Sequence, residues 1–162
     1  MQVGFVPLCG GCACNGVRYR MLAPPLIVHC CHCRSCQRET GTAFALNALI
    51  ESQHIEVLAG RPDPVDTPSA SGRGQRILRC SACEVALWSH YVGFGADIGF
   101  VRVGTLDDPD GLPPDIHIYT ESKQPWVVLP TAVRAVPQYY RTREVWSAES
   151  LARLDRCRRS TS

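Results

Sequence analysis

Closely spaced cysteines are the feature that most constrains how this chain can fold. The chain has 162 residues and ten cysteines, and seven of these stand in tight groups. Its first residues lack the basic region and long apolar stretch of a secretory signal, so we expect a cytoplasmic location, where disulfides do not persist. Cysteines at such spacings in a reducing compartment are usually metal ligands or catalytic thiols. The grouped residues are Cys12 and Cys14, Cys31, Cys33 and Cys36, and Cys80 and Cys83.

Composition and charge are ordinary for a soluble globular protein. Hydrophobic residues make up 45% of the chain and charged residues 20%, and the formal net charge is +2. A nucleic-acid-binding protein normally carries a strong basic stripe, so we expect no nucleic-acid partner. The apolar run at 43–50 is too short for a membrane span and is interrupted by Asn47. We therefore expect small-molecule partners and no membrane, while the sequence does not indicate an oligomeric state.

Alternating apolar and polar residues predict a mainly β fold with many short strands. Residues 16–22 place Val17, Tyr19 and Met21 on one face of a strand. The proline-, glycine- and serine-rich stretch 60–74 predicts an exposed loop, as does 105–115. Ser147 is a candidate N-cap for a C-terminal helix over 147–159. Further strands are predicted within 26–31, 42–50, 55–57, 75–79, 85–91, 98–103 and 116–119, with a turn or one helical turn over 34–41.

Two cysteine pairs, far apart in sequence, predict a closed metal site. Cys12 and Cys14 form a C-x-C pair, and Cys80 and Cys83 form a C-x-x-C pair. Four thiolates around one zinc ion leave no position for chemistry, which is typical of structural sites. The alternative is that these residues are buried free thiols, which pack as small apolar side chains.

The segment 30–36 predicts a second and different site. Cys31, Cys33 and Cys36 form C-x-C-x-x-C, and three protein ligands with an open fourth position are typical of catalytic zinc. His32 and Cys30 should point away from this set if the preceding strand continues. An iron–sulfur cluster is an alternative, but it would normally need a fourth cysteine. We expect the remaining Cys9 and Cys157 to be spare thiols.

Several motifs together resemble one family, the glutathione-dependent formaldehyde-activating enzymes, which also include centromere protein V. The match begins with GCACNGVRY at 11–19 and CHCRSCQRETG at 31–41. It continues with the pair Cys80 and Cys83 followed by Leu87 and Trp88, then with VGTLDDP at 103–109, HI at 117–118 and PW at 125–126.

This resemblance implies a tent-like arrangement of short antiparallel sheets, stapled by zinc on Cys12, Cys14, Cys80 and Cys83. It also implies a second zinc on Cys31, Cys33 and Cys36, giving two zinc ions per chain, and glutathione as a co-substrate. The implied activity is that of a carbon–sulfur lyase, which condenses glutathione with formaldehyde to S-hydroxymethylglutathione. We expect a zinc-binding domain of this family over residues 8–137 and a C-terminal extension with a helix over 138–162.

Catalytic side chains other than the metal ligands are not assigned by the sequence. Residues near the open set are candidates for substrate binding: Gln37, Arg38, Thr40, Lys123 and Trp126. Arg38 could pair with a carboxylate of glutathione or could simply face solvent. Trp126 is more often a core residue, and His117 is more often structural than a general base.

One residue departs from the family pattern at the first metal site. Glu84 follows Cys83 where the family usually has glycine. If the backbone needs a positive φ there, a residue with a Cβ is strained, so we expect some distortion without loss of the site.

A non-catalytic role is the rival hypothesis. Thiols add to formaldehyde without help, so little barrier is left for an enzyme to remove. The same scaffold could therefore serve as a zinc-stabilised glutathione carrier or as an interaction module.

Overall fold

The computed structural model describes residues 4–160 and is mainly β, as predicted. None of the helices in this part of the chain is long and apolar enough to cross a membrane. The strands are β1 (Leu8–Gly11), β2 (Arg18–Met21), β3 (Ile27–Cys31), β4 (Ala45–Glu51), β5 (Ile55–Ala59), β6 (Pro62–Thr67), β7 (Gln75–Cys80), β8 (Ala86–Tyr91), β9 (Ile98–Arg102), β10 (Ile116–Ile118) and β11 (Arg134–Ala135). The helices are α1 (Arg34–Thr40), α2 (Thr142–Val145) and α3 (Ala148–Ser160).

The strands form one small and one large sheet. The small sheet is antiparallel, with the order β1-β2-β5. The large sheet has the order β11-β10-β3-β4-β9-β8-β7-β6. Its pairs are antiparallel except that β10 runs parallel to both β3 and β11. The chain leaving β9 crosses over β4 and β3 before it forms β10. Because β10 then runs parallel to β3, the sheet is mixed at this end.

The predicted alternation in β2 places its apolar face in the core between the sheets. Val17, Tyr19 and Met21 are buried there against residues of β4, β8 and β9. The Tyr19 hydroxyl lies 2.7 Å from Thr105 Oγ1, and its ring meets Trp88 edge-on. Because Cys12 and Cys80 belong to the same core, the first cysteine set lies where the two sheets meet.

The prediction of a loop over 60–74 is wrong for residues 62–67, which form strand β6. Pro62 and Pro64 pair opposite Cys80 and Leu78 of β7. Proline lacks the N–H that a central strand needs, but it is tolerated in an edge strand, which is paired on one side only. β6 is the last strand at its end of the large sheet, so its composition resembles a loop while its backbone is extended.

Helix α1 is longer than the turn or single helical turn predicted for this segment. It spans seven residues, begins after Cys33 as N-cap and ends at Gly41, whose φ of 68° suits glycine. The Cys33 sulfur accepts the Cys36 N–H at 3.3 Å. Two of the three sulfurs of the second set are therefore positioned by the start of a helix.

The C-terminal segment packs against the opposite face of the large sheet. Ser147 caps α3 as predicted, since its Oγ accepts the Ser150 N–H at 3.1 Å. Trp146 and Leu154 are buried in a second core with residues of β3, β4, β9 and β10. The division at residues 137 and 138 stays a prediction.

Candidate metal centres and the adjoining cavity

The first cysteine set lies at the meeting point of β1, β2 and β7. Cys12 and Cys14 follow β1, Cys80 ends β7, and Cys83 lies in the next turn. The sulfurs of Cys12 and Cys14 are 3.5 Å apart, and those of Cys14 and Cys80 are 3.7 Å apart. All four sulfurs lie within 4.8 Å of one another. Tetrahedral zinc with Zn–S bonds of about 2.3 Å separates its sulfurs by about 3.8 Å, so this donor set fits zinc.

Backbone N–H groups favour thiolates in this set. The Val17 N–H donates to Cys12 Sγ at 3.2 Å. A backbone hydrogen bond from Val85 is the main cause that lowers the pKa of Cys83 to about 6. At Cys14 a hydrogen bond from Gly16 lowers the pKa, but contact with the neighbouring thiols outweighs it and raises the value to about 11. Four crowded sulfurs can all be ionised only beside a cation, which agrees with a metal site.

Glu84 has the positive φ expected from the sequence, at 59°. Its N–H donates to the Cys80 carbonyl oxygen at 2.9 Å, and its own carbonyl accepts from Arg79 Nη1 at 2.9 Å. The turn that carries Cys83 is therefore closed despite the strained residue.

The second cysteine set lies where β3 runs into α1. Cys31 ends β3, Cys33 caps α1, and Cys36 lies in its first turn. The three buried sulfurs are within 4.8 Å of one another, and this group contains no fourth histidine, cysteine or carboxylate from residues 4–160. The structure therefore brings together three ligands and leaves room for an exchangeable one.

Crowding in this set means that one thiol ionises at the expense of the others. Contacts with Cys31 and then Cys36 lower the pKa of Cys33 to about 3. Contact with Cys33 and Cys36 raises the pKa of Cys31 far above its usual range. For Cys36 the contact with Cys31 lowers the pKa, but Cys33 and burial raise it to about 12. A bound divalent cation would stabilise all three as thiolates, so the donor set fits zinc.

His32 and Cys30 point away from the second set, as predicted, and meet His117 on the other side of β3. His32 Nε2 lies 3.0 Å from His117 Nδ1 and 3.5 Å from Cys30 Sγ. These buried side chains form a third group with metal-ligand spacing. The alternation of residues 30–33 indicated that Cys30 and His32 share a face of the strand. Nothing in the sequence indicated that His117 lies beside them.

The hydrogen bonding of this third group is less favourable for a metal than that of the two cysteine sets. His32 Nδ1 and His117 Nε2 are buried and have no hydrogen-bond partner within residues 4–160. A direct hydrogen bond between the rings leaves one buried N–H unpaired, whichever tautomer is present. A metal bound to His32 Nε2 and His117 Nδ1 would leave two buried N–H groups unpaired, because each remaining ring nitrogen would carry a proton.

A cavity of about 250 Å³ adjoins the second set, and all three of its cysteines line the cavity. The wall also includes residues of the loop 69–73 and of the segment that follows β8. Aromatic side chains make up much of the lining: Tyr91, Phe94, Phe100, Tyr119 and Tyr139, with His29. These residues come from separate elements, so no local pattern in the sequence indicated the cavity.

The histidine and the tyrosines of the cavity wall are held in their neutral forms. Burial lowers the pKa of His29 to about 3, so its imidazole is uncharged at neutral pH. Burial also raises the pKa of Tyr91 and, more weakly, that of Tyr119. The phenols therefore keep their protons and can donate hydrogen bonds to a bound oxygen.

The five residues predicted to bind substrate lie outside this cavity wall. Gln37 is buried, and its Nε2 donates to the carbonyl oxygens of His32 at 2.7 Å and Ser122 at 3.0 Å. Thr40 Oγ1 donates to the Cys36 carbonyl oxygen at 2.8 Å. Gln37 therefore ties α1 to the segment after β10, while Thr40 stabilises the helix itself.

The other three predicted residues lie near the surface. Arg38 is exposed, and Lys123 Nζ donates to the Val127 carbonyl oxygen at 2.7 Å. Trp126 is 70% exposed, so the expectation that it is a core residue is wrong. Its Nε1 is held by Gln124 Oε1 at 2.6 Å instead. A substrate-binding role for all five stays a prediction.

The chain matches one known protein family over most of its length. The family model described as "Glutathione-dependent formaldehyde-activating enzyme" matches residues 7–122. A Halomonas elongata protein named "Putative glutathione-dependent formaldehyde-activating enzyme" is 26% identical over 129 residues, which cover 73% of this chain and 78% of that protein. A crystal structure of a Rhodobacter sphaeroides protein aligns with a TM-score of 0.48 and 17% identity, and covers 64% of this chain and 93% of that one.

Proposed function

This chain belongs to the glutathione-dependent formaldehyde-activating enzyme family, and we propose that it is a zinc-dependent carbon–sulfur lyase that forms or cleaves a thiol–aldehyde adduct. Glutathione is the thiol in this proposal, and S-hydroxymethylglutathione is the reference adduct. The observation that carries it is the second cysteine set: Cys31, Cys33 and Cys36 lie in a cavity wall without a fourth protein ligand from residues 4–160.

Zinc on these three residues would supply a Lewis acid that favours the thiolate form of an incoming thiol. The aromatic wall limits water around the reacting atoms. Tyr91 and Tyr119 keep their phenol protons, so either can donate a hydrogen bond to the carbonyl oxygen of the aldehyde. Such donation stabilises the negative charge that develops on this oxygen as the C–S bond forms.

The first cysteine set has a structural role in this proposal. Cys12, Cys14, Cys80 and Cys83 would hold a second zinc ion with no open position. Their location between the sheets means that the ion would fix β1 and β2 against β7.

The test is the exchange rate between free and adducted formaldehyde at equilibrium, measured by NMR with isotope-labelled formaldehyde and glutathione. We expect substoichiometric zinc-loaded protein to accelerate exchange and C33S to abolish the acceleration. C9S is the matched control, because Cys9 is an exposed cysteine outside both sets, and it should behave as wild type.

A glutathione carrier is the second candidate, and the same experiment distinguishes it. A carrier would lower the free concentration of glutathione in proportion to its own concentration without changing the exchange rate. Unchanged exchange at substoichiometric protein would therefore exclude the lyase.

A further inference from the structure

We infer that the aldehyde half of the adduct carries an apolar, ring-sized group, so that the site takes larger aldehydes than formaldehyde. This inference rests on the proposed function for its chemistry. Its evidence is separate: the size, lining and charge of the cavity beside Cys31, Cys33 and Cys36.

The cavity is much larger than formaldehyde requires. Its volume is about 250 Å³. Formaldehyde has two heavy atoms and is comparable in size to one or two water molecules, each of which takes about 30 Å³ in the liquid. With formaldehyde alone bound, most of an aromatic-lined space would remain for water, which such a lining solvates poorly.

Several rings of the wall contact one another in the geometry that aromatic groups prefer. Tyr91 and Phe94 contact Phe100 with centroid distances of 4.7 and 5.6 Å, both steeply inclined. Tyr119 and Tyr139, which also line the cavity, have ring centroids 6.3 Å apart. Aromatic pairs prefer such tilted and edge-to-face contacts at these distances, and each adds to the gain from apolar burial. A planar apolar group therefore matches the wall better than a polar one.

The distribution of charge disfavours the two carboxylate ends of glutathione in the interior. Apart from the cysteines, Arg73 is the one residue with a charged side chain in the described lining, and it lies on the exposed loop 69–73. Glutathione has two carboxylates, and burying a carboxylate without a partner is strongly unfavourable. The tripeptide is therefore expected to extend outward past Arg73, which leaves the interior to the aldehyde half.

Part of the wall lies outside the segment that the family model matches. The match ends at residue 122, whereas Tyr139 belongs to the following segment. Its ring stacks on Tyr140 with a centroid distance of 4.8 Å and meets the edge of His29. The preference for a ring is therefore expected to be specific to chains with this C-terminal segment.

The chemistry needs no further reactant. The thiol sulfur bonds to the carbonyl carbon, the C=O π bond breaks, and the thiol proton ends on the new hydroxyl oxygen. The reverse reaction releases the aldehyde and restores the S–H bond. No electrons are exchanged with another molecule in either direction.

Binding of two unreactive thioethers tests the inference independently of turnover. The probes are S-methylglutathione and S-(2-phenylethyl)glutathione, measured by titration calorimetry with the zinc-loaded protein. We expect the phenylethyl compound to bind at least about tenfold tighter, because its ring loses contact with water on binding. Ligand-detected NMR should show the strongest saturation at its ring protons. Equal affinities would overturn the inference.

G93L is the variant that should remove this preference. Gly93 lies in the cavity wall, and a Cβ at this position meets nothing within 4 Å, so leucine can enter open space without a backbone clash. We expect the ratio of the two affinities to fall to about one. G111L is the matched control, because a Cβ there is also free of contacts and the residue lies outside the cavity wall.

Y139A gives a second variant in the cavity wall, and it should lower the ratio of the two affinities by removing a ring contact. A ratio that is unchanged in both G93L and Y139A, with native circular dichroism, would place the ring elsewhere and overturn the inference.

Exchange measurements with formaldehyde and with phenylacetaldehyde separate this inference from the proposed function. Faster exchange for both aldehydes together with a ring preference supports both the proposed lyase activity and the inference. Faster exchange without ring preference refutes the inference alone, whereas a ring preference without faster exchange refutes the lyase and leaves a ring-selective binding site.

Discussion

At the scale of single residues, Glu84 is one of the positions where a side chain sits on a backbone conformation that disfavours it. Its φ of 59° lies in the region that disfavours a Cβ, beside the turn that carries Cys83. We expect E84G to raise the free energy of unfolding by about 0.5–1 kcal/mol, because the relief of strain exceeds the extra entropy of the unfolded chain. Urea denaturation measures the difference. E84A is the control, since it removes the carboxylate but keeps the Cβ, and an equal gain in both variants would contradict the backbone explanation.

The two cysteine sets should respond differently to substitution. C33S is expected to lose one zinc ion by metal analysis and to remain folded, because the second set is held by β3 and α1. C12S is expected to unfold the protein at room temperature, because structural zinc contributes roughly 10–16 kcal/mol in small peptides and whole domains have about 5–15 kcal/mol of stability. If the two variants have the same zinc content and the same melting temperature, the division into structural and open sites is wrong.

The sequence predicted the grouping of the cysteines better than it predicted the cavity. These cysteines come in short local groups, so their spacing indicated which sulfurs meet, as for Cys80 and Cys83. The cavity wall is built from residues as distant as His29 and Tyr139, which meet only through the order of strands in the large sheet. Spacing along the chain carries no information about such contacts.

At the scale of elements, the turn between β5 and β6 supports the loop that carries the first cysteines. Gly60 has a φ of 69°, and a Cβ there would lie 2.0 Å from the Gly16 carbonyl oxygen. We expect G60A to lower the free energy of unfolding by about 2–4 kcal/mol, since it adds a backbone clash to the strain of a positive φ. G72A is the matched control, because Gly72 also has a positive φ but its Cβ would meet nothing within 4 Å. The urea midpoint of G60A should therefore be lower than that of G72A.

A buried ion pair fastens α3 to β4. Arg153 Nε and Nη2 donate to the two carboxylate oxygens of Glu51 at 2.9 and 2.6 Å, and both side chains are buried. Breaking such a pair from one side costs about 3–5 kcal/mol, because the remaining charge is left without a partner. We therefore expect R153M to lower the free energy of unfolding strongly, as measured by urea denaturation. R156M, at an exposed position of the same helix, should have the free energy of unfolding of wild type. The double variant E51Q/R153M should recover much of the loss, and failure to do so would assign the effect to packing.

The same pair gives a pH dependence whose sign follows from Glu51. Burial by itself raises the pKa of Glu51, but the hydrogen bonds and charge of Arg153 outweigh it, and the pKa lies below its ordinary value. The stabilisation is therefore fully present above the pKa of the unfolded chain, about 4.3, and is lost as the pH falls through the lowered value in the folded protein. We expect the free energy of unfolding to fall more steeply below this pH in wild type than in E51Q. Parallel curves would contradict the assignment.

Strands were predicted more reliably than their arrangement. The buried faces of β2, β4 and β9 followed from apolar patterning, because a half-buried or buried strand needs it. The edge strand β6 was missed, since prolines and charges are compatible with an edge. The parallel pairing of β10 with β3 could not be predicted, because it depends on the path of the long loop before β10.

At the scale of the whole molecule, the large sheet has a core on each face, and the C-terminal segment covers one of them. Trp146 and Leu154 pack there with Leu49, Ile98 and Phe100. We expect removal of residues 138–162 to expose this face, so that the truncated protein unfolds at a lower urea concentration and binds the dye ANS. W146A and L154A should each lower the free energy of unfolding by about 2–5 kcal/mol. An unchanged urea midpoint after truncation would show that residues 8–137 are stable alone.

The edges of the large sheet also determine how the protein behaves when it is concentrated. One edge is β6, which carries Pro62 and Pro64, and the other is β11, which is only two residues long. An exposed edge strand is a template for pairing with another chain, but prolines and short length both prevent a continuous ladder of hydrogen bonds. The sheet is therefore protected against growth by strand addition, and fibrillar aggregation from the folded state should be slow even in crowded solution.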